Sequence, residues 1–343
     1  MLKEFKGYKK GIDLGGWLSQ CNHTKERYDN FITENDFSVI KSWGLDHIRI
    51  PVDYNLVEDD AGNYIEDGFD YIKRAIETCK KLGLNVVLDL QKTYGYSFDD
   101  GEKEEGFFDN AEYQERFYKL WEQFAQRFGK NTDMLAFELL NEVTKKEYCE
   151  KWNEISYECI RRIRKIAPKV KILVGGYYNN SIEALKDLAA PYDENIVYNF
   201  HCYEPLIFTH QGAHWIEKMN DDFRMPYDAT YGTYIENNDR ELDHITGDMS
   251  AYDKEELISA KFFDDYLAEA VKIAEERNVQ LYCGEYGVID KATPEDALKW
   301  YKDICSCFDK YGIGRAAWSY KEMDFGLSDE RMKGVLSEIK KVL

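Results

Sequence analysis

No apolar run in this 343-residue sequence approaches the ~18 residues that a membrane-spanning helix needs. The opening residues, Met1-Leu2-Lys3-Glu4-Phe5-Lys6, carry charges but none of the apolar core that marks a secretory signal. A cytoplasmic location is the expectation. Cations are scarce: 45 Lys and Arg stand against 65 Asp and Glu, a net charge of −20. That deficit argues against nucleic acid and against an anionic membrane as partners, because both demand clustered positive charge. The eight cysteines, at 21, 79, 149, 159, 202, 283, 305 and 307, form no Cys-x-x-Cys pair and no compact disulfide framework. Most sit in apolar helix or strand patterns, where a free thiol acts as a small hydrophobe, and reduced thiols suit the cytoplasm. No G-x-G-x-x-G follows the first strand, since GIDLGGW has the wrong spacing, so no dinucleotide cofactor is expected.

What is present is a large apolar fraction, 44%, enough for a substantial core. Short β-branched runs begin near Gly11, His47, Asn85, Met134, Lys171, Ile196, Gln280 and Gly314. They read as continuously apolar, as strands buried on both faces do. Helical patterns separate them, at 33–43, 69–82, 113–128, 148–166, 182–188, 257–277, 294–311 and 330–343. Pro294 after Thr293 is a helix-start signal. Eight strands alternating with eight helices predict one α/β domain over residues 1–343, a single (β/α)8 barrel, rather than an open doubly wound sheet.

Successive strand starts are 36, 38, 49, 37, 25, 84 and 34 residues apart. The 84-residue step leaves roughly 50 residues beyond a usual helix, about 204–256, between strand six and its helix. In a barrel this insertion emerges at the C-terminal face, as a lid or subsite wall, or else as surface decoration. It carries Phe208, Trp215, Phe223, Tyr227, Tyr231, Tyr234 and Tyr252. Aromatics make up 15% of the chain, and such faces serve either an aromatic core or the stacking of sugars.

Barrel enzymes keep their chemistry at the C-terminal ends of the strands. There the sequence places Arg49, Asn141-Glu142, His201-Cys202-Tyr203, Glu285-Tyr286 and Trp318. Carboxylates that end apolar runs are costly unless paired or functional. Glu142 and Glu285, on strands four and seven, would face each other across the mouth. Two opposed carboxyl groups suit acetal cleavage, one protonating the leaving oxygen and the other attacking carbon or activating water. Arg49, Asn141, His201 and Tyr203 would supply hydrogen bonds that orient the nucleophile and separate the two pKa values. Trp318 offers a flat floor for a sugar ring. The bland alternative is that both glutamates simply pair with Arg49.

These segments, GIDLGGW, HIRIP, FELLNE, NFHCY, CGEYG and AAWSY, resemble glycoside hydrolase family 5, in order and across nearly the whole chain. Within that family the sequence looks most like the clostridial endoglucanases with a similar lid. The resemblance implies a retaining β-glycosidase acting on β-glucan poly- or oligosaccharides without a cofactor. It implies Glu142 as acid/base, Glu285 as nucleophile, and Asn141 at the sugar 2-hydroxyl. It places Arg49 and Tyr203 on the nucleophile, His201 beside the acid/base, and Trp318 under the cleavage subsite. After strand three the family usually has one or two histidines touching the sugar. Here Gln91 and Lys92 stand in their place. Lys92 is expected to reach a sugar hydroxyl or an anionic substituent near Glu285, or else to turn outward with Gln91 alone as donor.

Other readings are an exo-acting β-glucosidase or β-mannosidase type, a metal-dependent hydrolase, and a non-catalytic carbohydrate-binding barrel. The metal reading would use His210 and His214, spaced i, i+4, with His201 as a third ligand. HQGAH lacks the glutamate of H-E-x-x-H, however. A binding module would have no use for two opposed acids.

Overall fold

A computed structural model describes residues 2–99, 102, 105–216, 219–238 and 249–343. Eight parallel strands close on themselves in sequence order. They are β1 (Lys10–Asp13), β2 (His47–Asp53), β3 (Asn85–Lys92), β4 (Leu135–Glu138), β5 (Lys171–Val174), β6 (Ile196–His201), β7 (Gln280–Tyr286) and β8 (Gly314–Ala317). β8 returns to pair with β1, so no edge is left. The architecture is a (β/α)8 barrel.

Inward residues of β3 to β8 fill the lower barrel with an apolar plug. Val87, Ala136, Leu173, Val197, Tyr282 and Ala316 meet there, and Phe5 and Tyr8 close the bottom. Above the plug the inward residues turn polar, and that layer is the base of the site. Outward strand residues meet the apolar faces of the helices. In the helix Glu66–Leu82 the buried positions Phe69, Ile72, Ala75, Ile76 and Cys79 recur at the helical period, and Gly83 ends it in left-handed backbone at φ +66°. The helix Pro294–Tyr311 begins as its sequence suggests, with Thr293 accepting from the Asp296 amide and proline in the first turn.

Two expected helices take other forms. The segment after β5 is a 3₁₀ helix over Ile182–Asp187. It buries Ile182, Ala184 and Leu185, and Leu188 is buried just past its end. The C-terminal segment splits into a 3₁₀ turn (Glu330–Met332) and a helix (Leu336–Val342), with Gly334 between them. Short helices at Lys25–Asn30, Tyr54–Val57, Leu206–Thr209 and Tyr231–Asn237, and a left-handed turn over Tyr177–Asn180, were not evident in the sequence. No helix among the described residues is long and apolar enough to cross a membrane.

Within 204–256, Phe208, Tyr227, Tyr231 and Tyr234 are buried and pack inward. Tyr227 bonds Asp303, and Tyr231 stacks on Tyr252 at 4.2 Å. Trp215, by contrast, is half exposed, with its ring near His210 and Phe325. Residues 217, 218 and 239–248 of this insertion lie outside the described residues.

Candidate active site

β2 does not end at Arg49 as the sequence suggested. It continues through Pro51 to Asp53, paired with β3 throughout. Arg49 is therefore an interior residue of the barrel, fully buried, and it organises the polar layer. Its Nε and Nη2 donate to both oxygens of Glu138 at 2.7 and 2.9 Å. Nη2 also donates to Asn141 Oδ1 at 2.8 Å, and Nη1 donates to Glu285 Oε1 at 2.9 Å. Asp89 and Asp13 stand farther off, at 3.2 and 3.6 Å.

One guanidinium thus meets four buried carboxyl groups, and leaving several of them ionised without compensation would be prohibitive. Glu138 has a bidentate contact plus the Asn199 amide. Asp13 and Asp89 have no side-chain hydrogen bonds among the described residues. Burial pushes both of their pKa values well up, against the pull of Arg49, and so favours their neutral forms.

Glu285 sits near the end of β7, where two ladder irregularities re-aim side chains. The β6–β7 register passes over Gly284, so that His201 lies opposite Glu285. A Cβ at Gly284 would come 2.7 Å from the Asn199 amide, so the site needs glycine there. Glu285 accepts from Arg49 at one oxygen and from the Tyr203 hydroxyl at the other, at 2.8 Å. Burial raises its pKa, opposed by His201, Arg49 and Tyr203.

The β4 ladder ends at Glu138, and Asn141 and Glu142 follow in the connection beyond it. The Tyr96 hydroxyl fixes that connection by donating to the Glu142 carbonyl at 2.7 Å. Glu142 accepts from His201 Nδ1 at Oε1 and from Asn179 Nδ2 at Oε2, both at 2.7 Å. Burial pushes its pKa up to about 7, opposed by Asn179 and Arg49. Burial also lowers the pKa of His201, so its ring is neutral. Nearest ligating atoms of Glu142, His201 and Glu285 all lie within 4.8 Å of one another.

The remaining sequence candidates lie at or just past the C-terminal ends of β3, β4 and β8. Asn141 Nδ2 is buried and has no partner among the described residues. Trp318 follows β8 and packs with Ala213, Ile289 and Phe325, its ring edge so close to Gly15 that a Cβ there would lie 2.7 Å away. Gln91 donates to Gln20 Oε1 at 3.1 Å and keeps its own Oε1 buried and unpartnered. Lys92 is buried, with its ammonium on both oxygens of Glu102 at 2.8 Å. This acidic partner ten residues on was not suggested by the sequence, and the burial of Lys92 goes against the expectation that it turns out to solvent.

The three histidines of the metal reading do not come together. Among the described residues the one candidate ligating group is Glu142, His201 and Glu285. His210 is partly buried, held neutral with a pKa lowered to about 3, and its ring meets Tyr203 edge-on at 4.9 Å. His214 is exposed beside Trp215. The arrangement around Glu142, His201 and Glu285 suits proton transfer better than a cation. Arg49 already neutralises Glu285, and its charge would repel a metal.

Sequence reasoning passed over Asp13, Asp89 and Glu138, although each is an acid inside an apolar strand and the cost argument used for Glu142 applies to them. It also passed over Asn179 and Asn180, which lie in a turn with no periodic signal.

A profile of the family described as Cellulase (glycosyl hydrolase family 5) matches residues 9–324. Cellodextrinase A of Ruminococcus flavefaciens is 50% identical over 315 residues, 92% of this chain and 86% of that protein. Endoglucanase C of Acetivibrio thermocellus is 39% identical over 348 residues, 98% of each chain. Among solved structures, a clostridial cellulose synthase subunit Z from Clostridioides difficile superposes with a TM-score of 0.75 at 27% identity, covering 97% of this chain and 99% of that one. An endoglucanase from Thermotoga maritima gives 0.75 at 24% identity, covering 97% of each, and so attests the fold.

Proposed function

This chain belongs to glycosyl hydrolase family 5 and is a cellulase-like glycoside hydrolase, and from that premise we propose that it cleaves short β-1,4-glucans by double displacement between Glu285 and Glu142. The observation that carries this reading is the pair of carboxyl groups within 4.8 Å in opposite settings. Nearest oxygens that close suit direct attack on carbon and favour the retaining spacing of about 5–5.5 Å over the inverting one. Glu285 touches a guanidinium and a phenol, which favour its ionised form. Glu142 touches only neutral donors in a buried site, and it holds a proton up to about pH 7.

In the first step a Glu285 oxygen bonds the anomeric carbon. The glycosidic C–O bond breaks, and the leaving oxygen takes the Glu142 proton. In the second step water attacks that carbon, Glu142 takes the water's proton, and the ester to Glu285 breaks. The unpartnered Asn141 Nδ2 would donate to the 2-hydroxyl, and the free Gln91 Oε1 would accept from a neighbouring hydroxyl. Trp318 would floor the ring. Lys92, tied to Glu102, would fix the segment that follows β3. The insertion would serve as a wall of the cleft, its Trp215 reaching Phe325, which stands beside Tyr203.

The preference for short chains is supported by the cellodextrinase relative. The eight free thiols fit work in a reducing compartment on oligosaccharides taken up by the cell. Proton NMR of cellotetraose hydrolysis tests the reading. The β-anomer of the new reducing end should appear first, and an initial α-anomer would contradict it.

A further inference from the structure

The chain makes an unusual turn after β5. Tyr178, Asn179 and Asn180 occupy left-handed backbone in succession, at φ +50°, +56° and +58°. Side-chain-bearing residues are disfavoured there, and asparagine tolerates the region best. The turn brings both asparagine amides to Glu142 and its neighbours. Gly175 makes the room, since a Cβ on it would lie 2.1 Å from Asn180 Oδ1.

The Asn180 amide nitrogen donates to the Asn141 carbonyl and lies 3.3 Å from His201 Nε2. A nitrogen bonded to a carbonyl oxygen must be the NH₂ end, so it presents a donor to Nε2 as well. The neutral ring then carries its proton on Nδ1, which donates to Glu142 Oε1. Asn179 donates to Oε2. Both carboxyl oxygens of Glu142 therefore face uncharged donors, which favour the ionised form against a burial that favours the acid. The titratable and charged groups around Glu142 are His201, Glu285, Tyr203, Tyr96 and Arg49. None lies on the β5 turn, so Asn179 is that turn's contribution.

An acid/base in double displacement must be protonated for the first step and ionised for the second. We propose that Asn179 is a positioning residue that stabilises ionised Glu142 for the second, water-activating step, with Asn180 fixing the His201 tautomer that assists from the other oxygen. This rests on the reading of Glu142 as acid/base. Without the Asn179 amide, burial is less opposed, and Glu142 keeps its proton to higher pH. Ester formation from an activated aryl glycoside needs little acid help and stays fast, while ester hydrolysis slows.

The test uses Asn179→Gly, which keeps the left-handed backbone without strain and removes the donor. Asn179→Asp, with the same shape but an acceptor in place of the donor, stands beside it should the glycine variant fold poorly. With 2,4-dinitrophenyl β-cellobioside, stopped-flow should show a burst of phenolate close to one equivalent of enzyme. Steady-state kcat should drop about tenfold with KM falling alongside, so that kcat/KM barely moves. Azide, which attacks without a base, should restore kcat, and the rise of kcat with pH should move to higher pH. A lower kcat/KM with no burst and no azide response would overturn the proposal, because a purely structural role gives that pattern. Glu142→Ala run in parallel separates the two layers. If it shows neither burst nor azide response, the acid/base reading itself falls. If it shows both and the Asn179 variants show neither, only the role of Asn179 falls.

Discussion

The two reacting carboxyl groups and the buried polar groups of the β1–β3 side differ in how completely they are hydrogen-bonded. On the β4–β7 side all four carboxyl oxygens of Glu142 and Glu285 have donors, from His201, Asn179, Arg49 and Tyr203. On the β1–β3 side Ser19 Oγ, Asp53 Oδ1, Gln91 Oε1 and Thr93 Oγ1 are buried without hydrogen-bond partners among the described residues. A buried polar atom without a partner carries a desolvation cost, so such a cluster is a place where a ligand's hydroxyls gain most. Under the proposed function, the reacting carboxyl groups are held in advance, and the unpartnered groups of the β1–β3 side would be met by sugar hydroxyls.

The largest expected effect breaks the pre-assembled side. Glu285→Gln keeps the shape but removes the nucleophile, and should lower kcat on cellotetraose by roughly 10⁴-fold or more. Circular dichroism and Tm should remain those of the folded chain. Turnover near that of the parent would remove Glu285 from the mechanism.

The next effect is thermodynamic. Glu142 ionises near 4.5 when exposed and near 7 in the folded chain. Between those values the folded state holds a proton that the unfolded state has released. Stability therefore falls as pH rises through that window, by up to about 3 kcal/mol, and no further above it. Denaturant unfolding from pH 4 to 8 should show a steeper fall in the parent than in Glu142→Gln, by about 3 kcal/mol, because the other buried acids with raised pKa values, Glu204 among them, contribute to both curves. Parallel curves would mean that Glu142 is not held as an acid.

Effects on the recognition side should be smaller. Gln91→Ala should raise KM for cellotriose by about 3- to 10-fold with kcat little changed, the worth of one neutral hydrogen bond. Lys92→Ala should cost about 1 kcal/mol of stability, since Glu102 is partly exposed, and should leave kcat/KM on aryl glycosides close to the parent value. A large loss of kcat/KM would return Lys92 to direct contact with substrate.

The same contrast governs what the sequence made legible. All eight strands were, because strands buried on both faces must be apolar throughout, and the acids at their ends stood out against that background. Arg49 was identified but misplaced at a strand end, because the ladder continues past Pro51 to Asp53. Asp13, Asp89 and Glu138 were equally visible as acids in apolar runs, but attention to strand ends hid the layer beneath. Asn179 and Asn180 could not be found from periodicity, since their placement depends on three consecutive left-handed residues. The partner of Lys92 was hidden for a related reason. Glu102 lies in an irregular connection, and which acid a loop returns to an ammonium is decided by its path.

The central claim is that Glu285 becomes covalently bonded to the sugar, and trapping that bond tests it most directly. Incubation with 2,4-dinitrophenyl 2-deoxy-2-fluoro-β-cellobioside slows ester hydrolysis enough for the intermediate to accumulate, and peptide mass spectrometry locates it. The expected result is one fluorocellobiosyl group per chain, on the peptide containing Glu285. A sugar found on Glu142 or elsewhere, or substrate turnover with no adduct formed, would contradict it.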